Sequence, residues 1–318
     1  TTIKMTIYRA AEESRLNDAI VKAAKNGKEV VVFIEVKARF DERNNLKWGA
    51  IFEENGATVI YSFPDIKIHS KILYIEKKVD DDTKRYGYVA TGNFNENTAK
   101  LYTDFGLMTS HKKTTKDLNK VFLVLQQKVL VPKTKRLLVS PYTTRSGFTE
   151  LVQREIIFAR EGKKGEITLK MNSLEDKGLI KLLYRASNAG VKIRLLVRGI
   201  CSLVPGVKGQ SENIYITSVI DRFLEHGRVY IFGNNNNPEV YIGSADWMTR
   251  NLNHRIEVVT PILDKKHAKT IRELINIQLK DNVKARIIDA HQKNEYVPHD
   301  TPAVQSQLET YTYFKKLT

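Results

Sequence analysis

Two short segments of the sequence combine a histidine with a nearby cation in a form that could carry phosphate chemistry. Lys67–Ile75 reads Lys-Ile-His-Ser-Lys-Ile-Leu-Tyr-Ile, and Leu224–Phe232 reads Leu-Glu-His-Gly-Arg-Val-Tyr-Ile-Phe. Apolar and β-branched residues dominate both segments, which predicts β-strands. Because the side chains of a strand alternate between its two faces, Lys67, His69 and Lys71 are expected on one face.

This arrangement predicts an imidazole that neighbouring positive charge keeps neutral. The lysines are expected to lower the pKa of His69, which leaves the ring nucleophilic and creates a seat for an oxyanion. A half-exposed strand with a basic face would explain a single segment of this kind. The second segment, with His226 and Arg228, favours chemistry, and each segment is followed by a Gly-containing turn, at Val89–Asn95 and at Tyr241–Trp247.

The elements around the two histidines are also repeated. The joint from helix to glycine to strand at Gly27 recurs at Gly190, and the histidines recur at an offset of 157 residues (226 − 69). In each half, strands alternate with helices, which predicts an α/β fold with a mixed, largely parallel sheet flanked by helices. Ser14 is expected to begin the first helix, and Ser173 the corresponding one. We place the two domains at 1–132, truncated at its N-terminal end, and 133–318.

The composition is that of a folded protein with an anionic partner. The net charge of +16 comes from 52 Lys and Arg against 36 Asp and Glu, and 42% of the residues are hydrophobic. Such a balance indicates nucleic acid, an anionic membrane surface, a nucleotide or another phosphate polymer. No apolar run approaches the roughly 20 residues that span a bilayer. The single cysteine, Cys201, excludes an intramolecular disulfide bond.

Two H-x-(K/R) segments in duplicated halves resemble the phospholipase D superfamily. In that superfamily one histidine attacks phosphorus and the other protonates the leaving group. Neither half keeps the aspartate of the superfamily motif, because Glu76 and Gly233 stand at its positions. This departure argues against a standard phosphodiesterase.

Longer motifs resemble the type 1 polyphosphate kinase family. They are Ile3–Arg9 (IKMTIYR), Val36–Glu42 (VKARFDE), Lys67–Lys71 (KIHSK), Thr91–Glu96 (TGNFNE), Leu101–Asp104 (LYTD), Val197–Leu203 (VRGICSL), Leu224–His226 (LEH) and Ser244–Asn251 (SADWMTRN). The resemblance covers nearly the whole chain in the right order. It implies the two C-terminal, phospholipase-D-like domains of that family, without its N-terminal and helical domains.

The resemblance implies reversible transfer of the terminal phosphoryl group of ATP to polyphosphate through a phosphohistidine. His69 matches the position that is phosphorylated. His226 matches the second catalytic histidine, which contacts the nucleotide and serves as acid or base. Tyr102 and Arg198 match positions that contact the nucleotide.

The resemblance also implies a phosphate and magnesium site at Arg9 and Arg39. A guanidinium group cannot ligate a cation, so these side chains are interpreted as phosphate clamps beside Mg²⁺. Both arginines are expected at the carboxyl ends of strands, where ligands of α/β sheets collect. Lys71 and Arg228 are added as phosphate contacts because of their position beside the histidines.

The expected partners are ATP or ADP and inorganic polyphosphate, with no nucleic acid. The full-length protein is expected to be a cytoplasmic homo-oligomer, and the resemblance allows peripheral association with the inner membrane. Two alternatives stay open. One is a phospholipase-D-like phosphodiesterase, phosphatidyltransferase or nuclease that uses His69 and His226, and the other is a polyanion-binding module without activity.

Overall fold

The computed structural model describes residues 1–38, 40–63, 66–299 and 302–317, and it divides into two compact units. The first unit contains Thr1–Arg145, Gly243–Ala245 and Arg250–Thr260, and the second contains Ser146–Ile242, Asp246–Thr249 and Pro261–Thr318. Each unit combines a mixed sheet with helices, which confirms the predicted fold class. The boundary predicted between residues 132 and 133 stays a prediction.

The chain runs through the following elements. As far as Ser140 they are β1 (Thr2–Ile7), α1 (Arg15–Lys25), β2 (Glu29–Ile34), α2 (Glu42–Glu54), β3 (Thr58–Tyr61), β4 (Lys67–Ile68), β5 (Lys71–Val79), β6 (Asp82–Ala90), α3 (Glu96–Ala99), β7 (Tyr102–Thr103), β8 (Gly106–Thr109), α4 (Lys112–Leu125) and β9 (Leu138–Ser140). They continue with α5 (Thr144–Arg160), β10 (Glu166–Met171), α6 (Lys177–Asn188), β11 (Lys192–Val197), β12 (Ile214–Val219), β13 (Leu224–Glu225), β14 (Val229–Phe232), β15 (Glu239–Gly243), α7 (Thr249–Asn253), β16 (Arg255–Pro261), α8 (Lys265–Leu279), β17 (Ala285–Ile287) and α9 (Ser306–Lys315).

The sheet of the first unit has the strand order β3-β2-β1-β5-β6-β8. Strands β1 to β3 are parallel, and β5, β6 and β8 join them antiparallel. Residues of α1 and α2 pack on one face around Met5, and residues of α4 pack on the other around Phe33 and Tyr74. As predicted, the Ser14 hydroxyl accepts a hydrogen bond from the N–H of Asn17 and begins α1.

The first histidine segment is not one continuous strand, so the predicted alternation of faces is wrong there. Its first two residues form β4, and β5 begins at Lys71. His69 and Ser70, between them, belong to neither strand. The N–H groups of His69 and Ser70 both donate to the carbonyl of Ile256, at 3.0 and 2.9 Å. Two residues facing one carbonyl act as a local bulge, and a bulge redirects the side chains that follow it.

The sheet of the second unit repeats the plan of the first. Its strand order includes β17-β12-β11-β10-β14-β15, and β10 to β12 are parallel while β14 and β15 are antiparallel. Helix α5 supplies Phe148, whose ring lies 4.6 Å from that of Tyr230 and 5.1 Å from that of Trp247. Helix α6 is capped by Asp176, whose carboxylate accepts from the N–H of Leu179, so the prediction that Ser173 begins it was wrong.

In the described part of the chain, no helix has the length and the apolar character that crossing a bilayer requires.

A buried aspartate connects the last elements of the second unit. The carboxylate of Asp281 follows α8 and accepts from the backbone N–H groups of Val283, Lys284 and Ala285, and from that of Ser306 at the start of α9. Burial acts to raise the pKa of Asp281, but hydrogen bonds from Ser306 and from the backbone N–H groups outweigh it and hold the pKa below its ordinary value.

We therefore predict that Asp281→Asn lowers the free energy of unfolding at pH 7 by about 1–3 kcal/mol, because buried N–H groups lose acceptors. A carboxyl whose pKa is depressed in the folded state contributes stability above its unfolded pKa and loses it as the pH falls through the folded pKa. The difference between wild type and variant should thus be constant from pH 7 to about 5 and shrink below about pH 4. Urea unfolding across this range measures it. Asp289→Asn, at an exposed turn, is the matched control, and an equal loss there would contradict the assignment.

Candidate active site

His69 lies against a buried carboxylate. Its side chain sits between β4 and β5 and is 8% exposed. Its Nδ1 atom is 2.8 and 2.9 Å from the two carboxylate oxygens of Glu257, which is fully buried in β16. The side-chain amide of Asn251 donates to the same carboxylate at 2.6 Å. The imidazole is therefore held by a carboxylate that is itself held by an amide.

The pairing of β4 with β16 brings these groups together. The two strands are parallel, with Arg255 opposite Lys67 and Ile256 opposite Ile68. Strand β16 is also fixed on its other side by β9, in which Ser140 lies opposite Glu257. The register thus delivers Glu257 to the position where the bulge turns His69 towards it.

An aromatic ring connects His69 with the predicted cations of this unit. The Tyr8 ring meets the His69 ring edge-on at 4.6 Å, and the Lys71 ammonium lies 5.0 Å from the Tyr8 ring centre. Lys71 is 1% exposed and donates to the backbone carbonyl of His69. Arg9 follows β1 and forms an ion pair with Asp41 at 3.0 Å. Arg39, its predicted partner in the phosphate clamp, lies outside the described residues.

The structure gives physical reasons for the glycines of the two turns. A Cβ atom on Gly92 would overlap the side chain of Asp104, whose carboxylate accepts from the Thr91 hydroxyl at 2.5 Å. A Cβ atom on Gly243 would overlap the backbone around Val258. Tyr102 lies near the first of these turns in sequence, half-buried at the start of β7.

The ring of His226 contacts a guanidinium group, whereas the ring of His69 contacts a carboxylate. It precedes β14, and its Nε2 atom lies 3.0 Å from Nη1 of Arg228. Arg228 is buried and is paired with Asp246 through Nη2 at 3.1 Å and Nε at 3.3 Å. The aspartate thus neutralises the arginine, and the arginine faces the ring nitrogen of the histidine.

Asn172 connects Arg198, the other predicted site residue of this unit, with His226. Its side-chain oxygen accepts from Nε and Nη2 of Arg198, at 2.9 and 2.5 Å, and its amide donates to the carbonyl of His226 at 3.0 Å. Its own N–H donates to Asp246 at 2.8 Å. The structure therefore brings Arg198, His226 and Arg228 together through Asn172 and through the contact between His226 and Arg228.

Sequence reasoning missed the side chains that support the predicted residues. These are Tyr8, Asn172, Asp246, Asn251 and Glu257. Asp246 and Asn251 belong to the motif Ser244–Asn251, but the resemblance gave neither residue a role. Glu257 had one local signal, an acidic residue inside the apolar strand β16, since a charged residue in a buried strand needs a partner.

No protein ligand set for a resident metal ion is evident near these residues. Across residues 1–38, 40–63, 66–299 and 302–317, no three or more His, Cys, Asp or Glu side chains come together as metal ligands. Arg9 cannot ligate a cation, and its carboxylate neighbour Asp41 is already engaged with it. The cations described here therefore fit an anion, and a magnesium ion would be held beside them through phosphate or water.

Comparison with known proteins identifies the family. Residues 1–131 match the family model of polyphosphate kinase C-terminal domain 1, and residues 137–307 match that of C-terminal domain 2. The chain is 47% identical to polyphosphate kinase from Vibrio parahaemolyticus, over 99% of this chain and 46% of that protein. It is 46% identical to polyphosphate kinase from Escherichia coli K12, again over 99% of this chain and 46% of that protein.

Solved structures agree with this result. Polyphosphate kinase from Porphyromonas gingivalis superposes with a TM-score of 0.92 at 41% identity, covering 99% of this chain and 48% of that chain. Phosphatidylserine synthase from Haemophilus influenzae gives a TM-score of 0.60 at 10% identity, covering 99% of this chain and 88% of that one. The second likeness shows the fold alone.

The chain spans about half the length of the curated relatives it matches. Two family models match the chain, and it is 47% identical to a curated relative over 99% of its length. The chain therefore belongs to the polyphosphate kinase family.

Proposed function

We propose that this chain carries the catalytic histidines of a polyphosphate kinase, which transfers the terminal phosphoryl group of ATP to polyphosphate reversibly through a phosphohistidine at His69. The observation that carries the proposal is the contact between Nδ1 of His69 and the buried carboxylate of Glu257. The family assignment supplies the reaction, and this contact supplies a reason for His69 to be the nucleophile.

The contact favours Nε2 as the ring nitrogen that reacts. An ionised carboxylate can only accept hydrogen bonds, so Nδ1 of His69 carries the hydrogen. In the neutral ring the lone pair is then on Nε2, and that atom is the nucleophile. The carboxylate of Glu257 is preorganised to stabilise the positive charge that the ring acquires as Nε2 forms its bond to phosphorus.

The reaction balances in two steps. In the first, Nε2 of His69 bonds to the γ-phosphorus of ATP while the bond from that phosphorus to the β,γ-bridging oxygen breaks, and ADP leaves with the electron pair. In the second, a terminal oxygen of polyphosphate attacks the same phosphorus, the N–P bond breaks, and neutral His69 is restored. The covalent intermediate lets one histidine serve donor and acceptor in turn.

His226 takes a different part because its hydrogen bond has the opposite polarity. Arg228 can only donate, so Nε2 of His226 accepts, and the hydrogen of the neutral ring is on Nδ1. A ring nitrogen that accepts from a guanidinium group is a poor nucleophile. We assign His226 to the nucleotide as acid or base, together with Arg198, Arg228 and Tyr102.

The cations supply charge for the phosphates. Transfer of a phosphoryl group depends on positioning and electrostatic stabilisation. We assign Arg9 and Arg39 to phosphate oxygens, and Lys71 to the backbone of His69, where its buried charge adds to the local positive potential. Mg²⁺ enters as part of the substrate, MgATP, where it screens the phosphate charges. The net charge of +16 suits the polyphosphate acceptor. Oligomerisation and peripheral membrane association of the full-length protein stay predictions.

The first test is covalent labelling. With γ-labelled ATP and Mg²⁺, wild type should acquire a label that is stable in alkali and labile in acid, and His69→Ala should acquire none. His226→Ala should slow labelling by about 10²–10⁴-fold, the usual range for loss of a general acid or base. His267→Ala, at an exposed histidine paired with Asp264, is the matched control and should label like wild type.

Labelled polyphosphate provides the reverse reaction for the same variants. Acid-labile label that persists in His69→Ala would contradict the assignment of the nucleophile. Absence of label from both donors would contradict the proposed activity of this chain.

The second test concerns the ring tautomer of His69. In ¹⁵N-histidine spectra, wild-type His69 should show a protonated Nδ1 and an unprotonated Nε2. Glu257→Gln replaces an obligate acceptor with an amide that can also donate, so the Nε2–H form becomes accessible and labelling should slow by about 10–100-fold. Glu239→Gln, at a partly exposed carboxylate paired with Arg154, is the control. An unchanged His69 spectrum in Glu257→Gln would refute the orienting role.

The third test separates substrate-borne magnesium from a resident ion. Removal of divalent cations with EDTA should abolish labelling from ATP. It should leave the melting temperature of the ligand-free chain within about 1 °C, because only an ion bound to the folded state stabilises it. A melting temperature that falls by several degrees on adding EDTA, and recovers with Mg²⁺, would show a resident ion instead.

A further inference from the structure

The residues that lead into His226 are held by a side chain from the last helix. Gln307 lies in the first turn of α9, and its side chain pairs with both backbone groups of Phe223. The N–H of Phe223 donates to Oε1 of Gln307 at 3.0 Å, and Nε2 of Gln307 donates to the carbonyl of Phe223 at 2.9 Å. An amide side chain thus pairs with the backbone as a neighbouring strand would.

The same glutamine also reaches the residue that directly precedes His226. Its Nε2 atom donates to one carboxylate oxygen of Glu225 at 2.8 Å. The other oxygen accepts from the ammonium of Lys170 in β10 and from the side-chain amide of Gln278 in α8, the latter at 3.1 Å. Lys170 and Glu225 are both buried. Three elements therefore converge on Glu225, and α9 contributes the contact with the most exposed side chain.

A second glutamine makes a similar contact: Gln305, two residues before Gln307, bonds to Asp221, two residues before Phe223. Nε2 of Gln305 donates to the carboxylate of Asp221 at 2.8 Å. The start of α9 is itself tied down, because the N–H of Ser306 donates to Asp281 and that of Val304 donates to the side chain of Asn282, each at 2.7 Å. The glutamines therefore project from a fixed helix start onto the segment 221–225.

Apolar packing does not explain the attachment of α9. Ser306 is the one fully buried residue of the helix, whereas Leu308, Tyr311 and Phe314 are exposed. A helix that buries so little apolar surface is held mainly by its directed hydrogen bonds. Those of Val304 and Ser306 anchor the start of the helix, and those of Gln307 end at the backbone of Phe223 and at the carboxylate that directly precedes His226.

We propose that Gln307 is a positioning residue for His226. Its side chain fixes the backbone of Phe223 and the carboxylate of Glu225, and these fix the direction in which the chain delivers the imidazole to Arg228. The functional consequence rests on the assignment of His226 to the nucleotide, but the positioning itself does not. An error of about 1 Å in the placement of a catalytic group can cost roughly 10²-fold in rate, so a small shift of His226 is measurable in the reaction.

Two substitutions separate hydrogen bonding from packing. Gln307→Ala removes the side chain, and Gln307→Glu keeps its shape but replaces the donor with an acceptor that faces the carboxylate of Glu225. If the hydrogen bonds position His226, both variants should disturb it, and Gln307→Glu should do so at least as strongly. If only packing matters, Gln307→Glu should resemble wild type.

Two further variants calibrate the effect along α9. Gln305→Ala should have a smaller effect, because Asp221 is farther from His226 along the chain than Phe223 and Glu225 are. Thr312→Ala is the neutral control, since that hydroxyl donates within its own helix, to the carbonyl of Leu308 at 3.1 Å.

The primary measurement is the ¹⁵N-histidine spectrum of the 318-residue chain, with the His226 signals assigned by their loss in His226→Gln. Both Gln307 variants should shift the His226 ring signals and change their titration with pH, while the signals of His111 and His267 keep their wild-type positions. The parallel measurement is the rate of labelling from γ-labelled ATP, which should fall by about 10-fold. Melting curves accompany each variant.

The outcomes are distinct. Unchanged His226 signals in both Gln307 variants would overturn the proposal, as would equal shifts of every histidine, which would show a general loss of structure. A Gln307→Glu spectrum that matches wild type beside a disturbed Gln307→Ala would also overturn it. Should the wild-type chain take up no label at all, the proposed activity fails, and the His226 spectra still decide whether Gln307 positions the ring.

Discussion

The fully buried carboxylate of Glu257 is the constraint on which the candidate active site depends. Removing a carboxylate from water costs several kcal/mol unless donors replace the water, and burial leaves few positions from which a donor can reach it. The donors here are Nδ1 of His69 and the amide of Asn251, with the guanidinium of Arg255 at 4.0 Å. The need to satisfy Glu257 thus fixes the direction of the His69 ring, and the chemistry of that ring follows from its direction.

The two halves show how one duplicated topology can give two different histidines. Both histidines precede an antiparallel strand that pairs with the first strand of the unit, so the backbone presents them in the same way. The partner of the ring differs, since a carboxylate meets His69 and a guanidinium group meets His226. In the proposed mechanism, the neighbour that only accepts favours His69 as the nucleophile, and the neighbour that only donates leaves His226 to the nucleotide. One topology thus holds two histidine rings in different chemical environments.

The sequence was informative where the signal is local. The caps at Ser14 and Gly27, the alternation of strands with helices and the duplication are all properties of neighbouring residues, and the structure confirms them. The break of the strand at His69 was missed, because Lys67–Ile75 has an unbroken apolar pattern and the bulge depends on Ile256 in a distant strand. Glu257 was missed as a partner for the same reason. A separation of 188 residues leaves no trace in local periodicity.

Support for the two histidines comes from remote parts of the chain for a geometric reason. A ring must be held from a direction other than its own backbone, and in a sheet that direction belongs to a neighbouring strand or to a helix packed on it. For His69 the support comes from β16, and for the segment before His226 it comes from β10, α8 and α9. These contacts form only when the sheets are complete, since long-range pairs require the loops between them to be ordered first. The orientation of both histidine rings is therefore a property of the finished fold, and substitutions far from the histidines in sequence are expected to act on the proposed chemistry through that orientation.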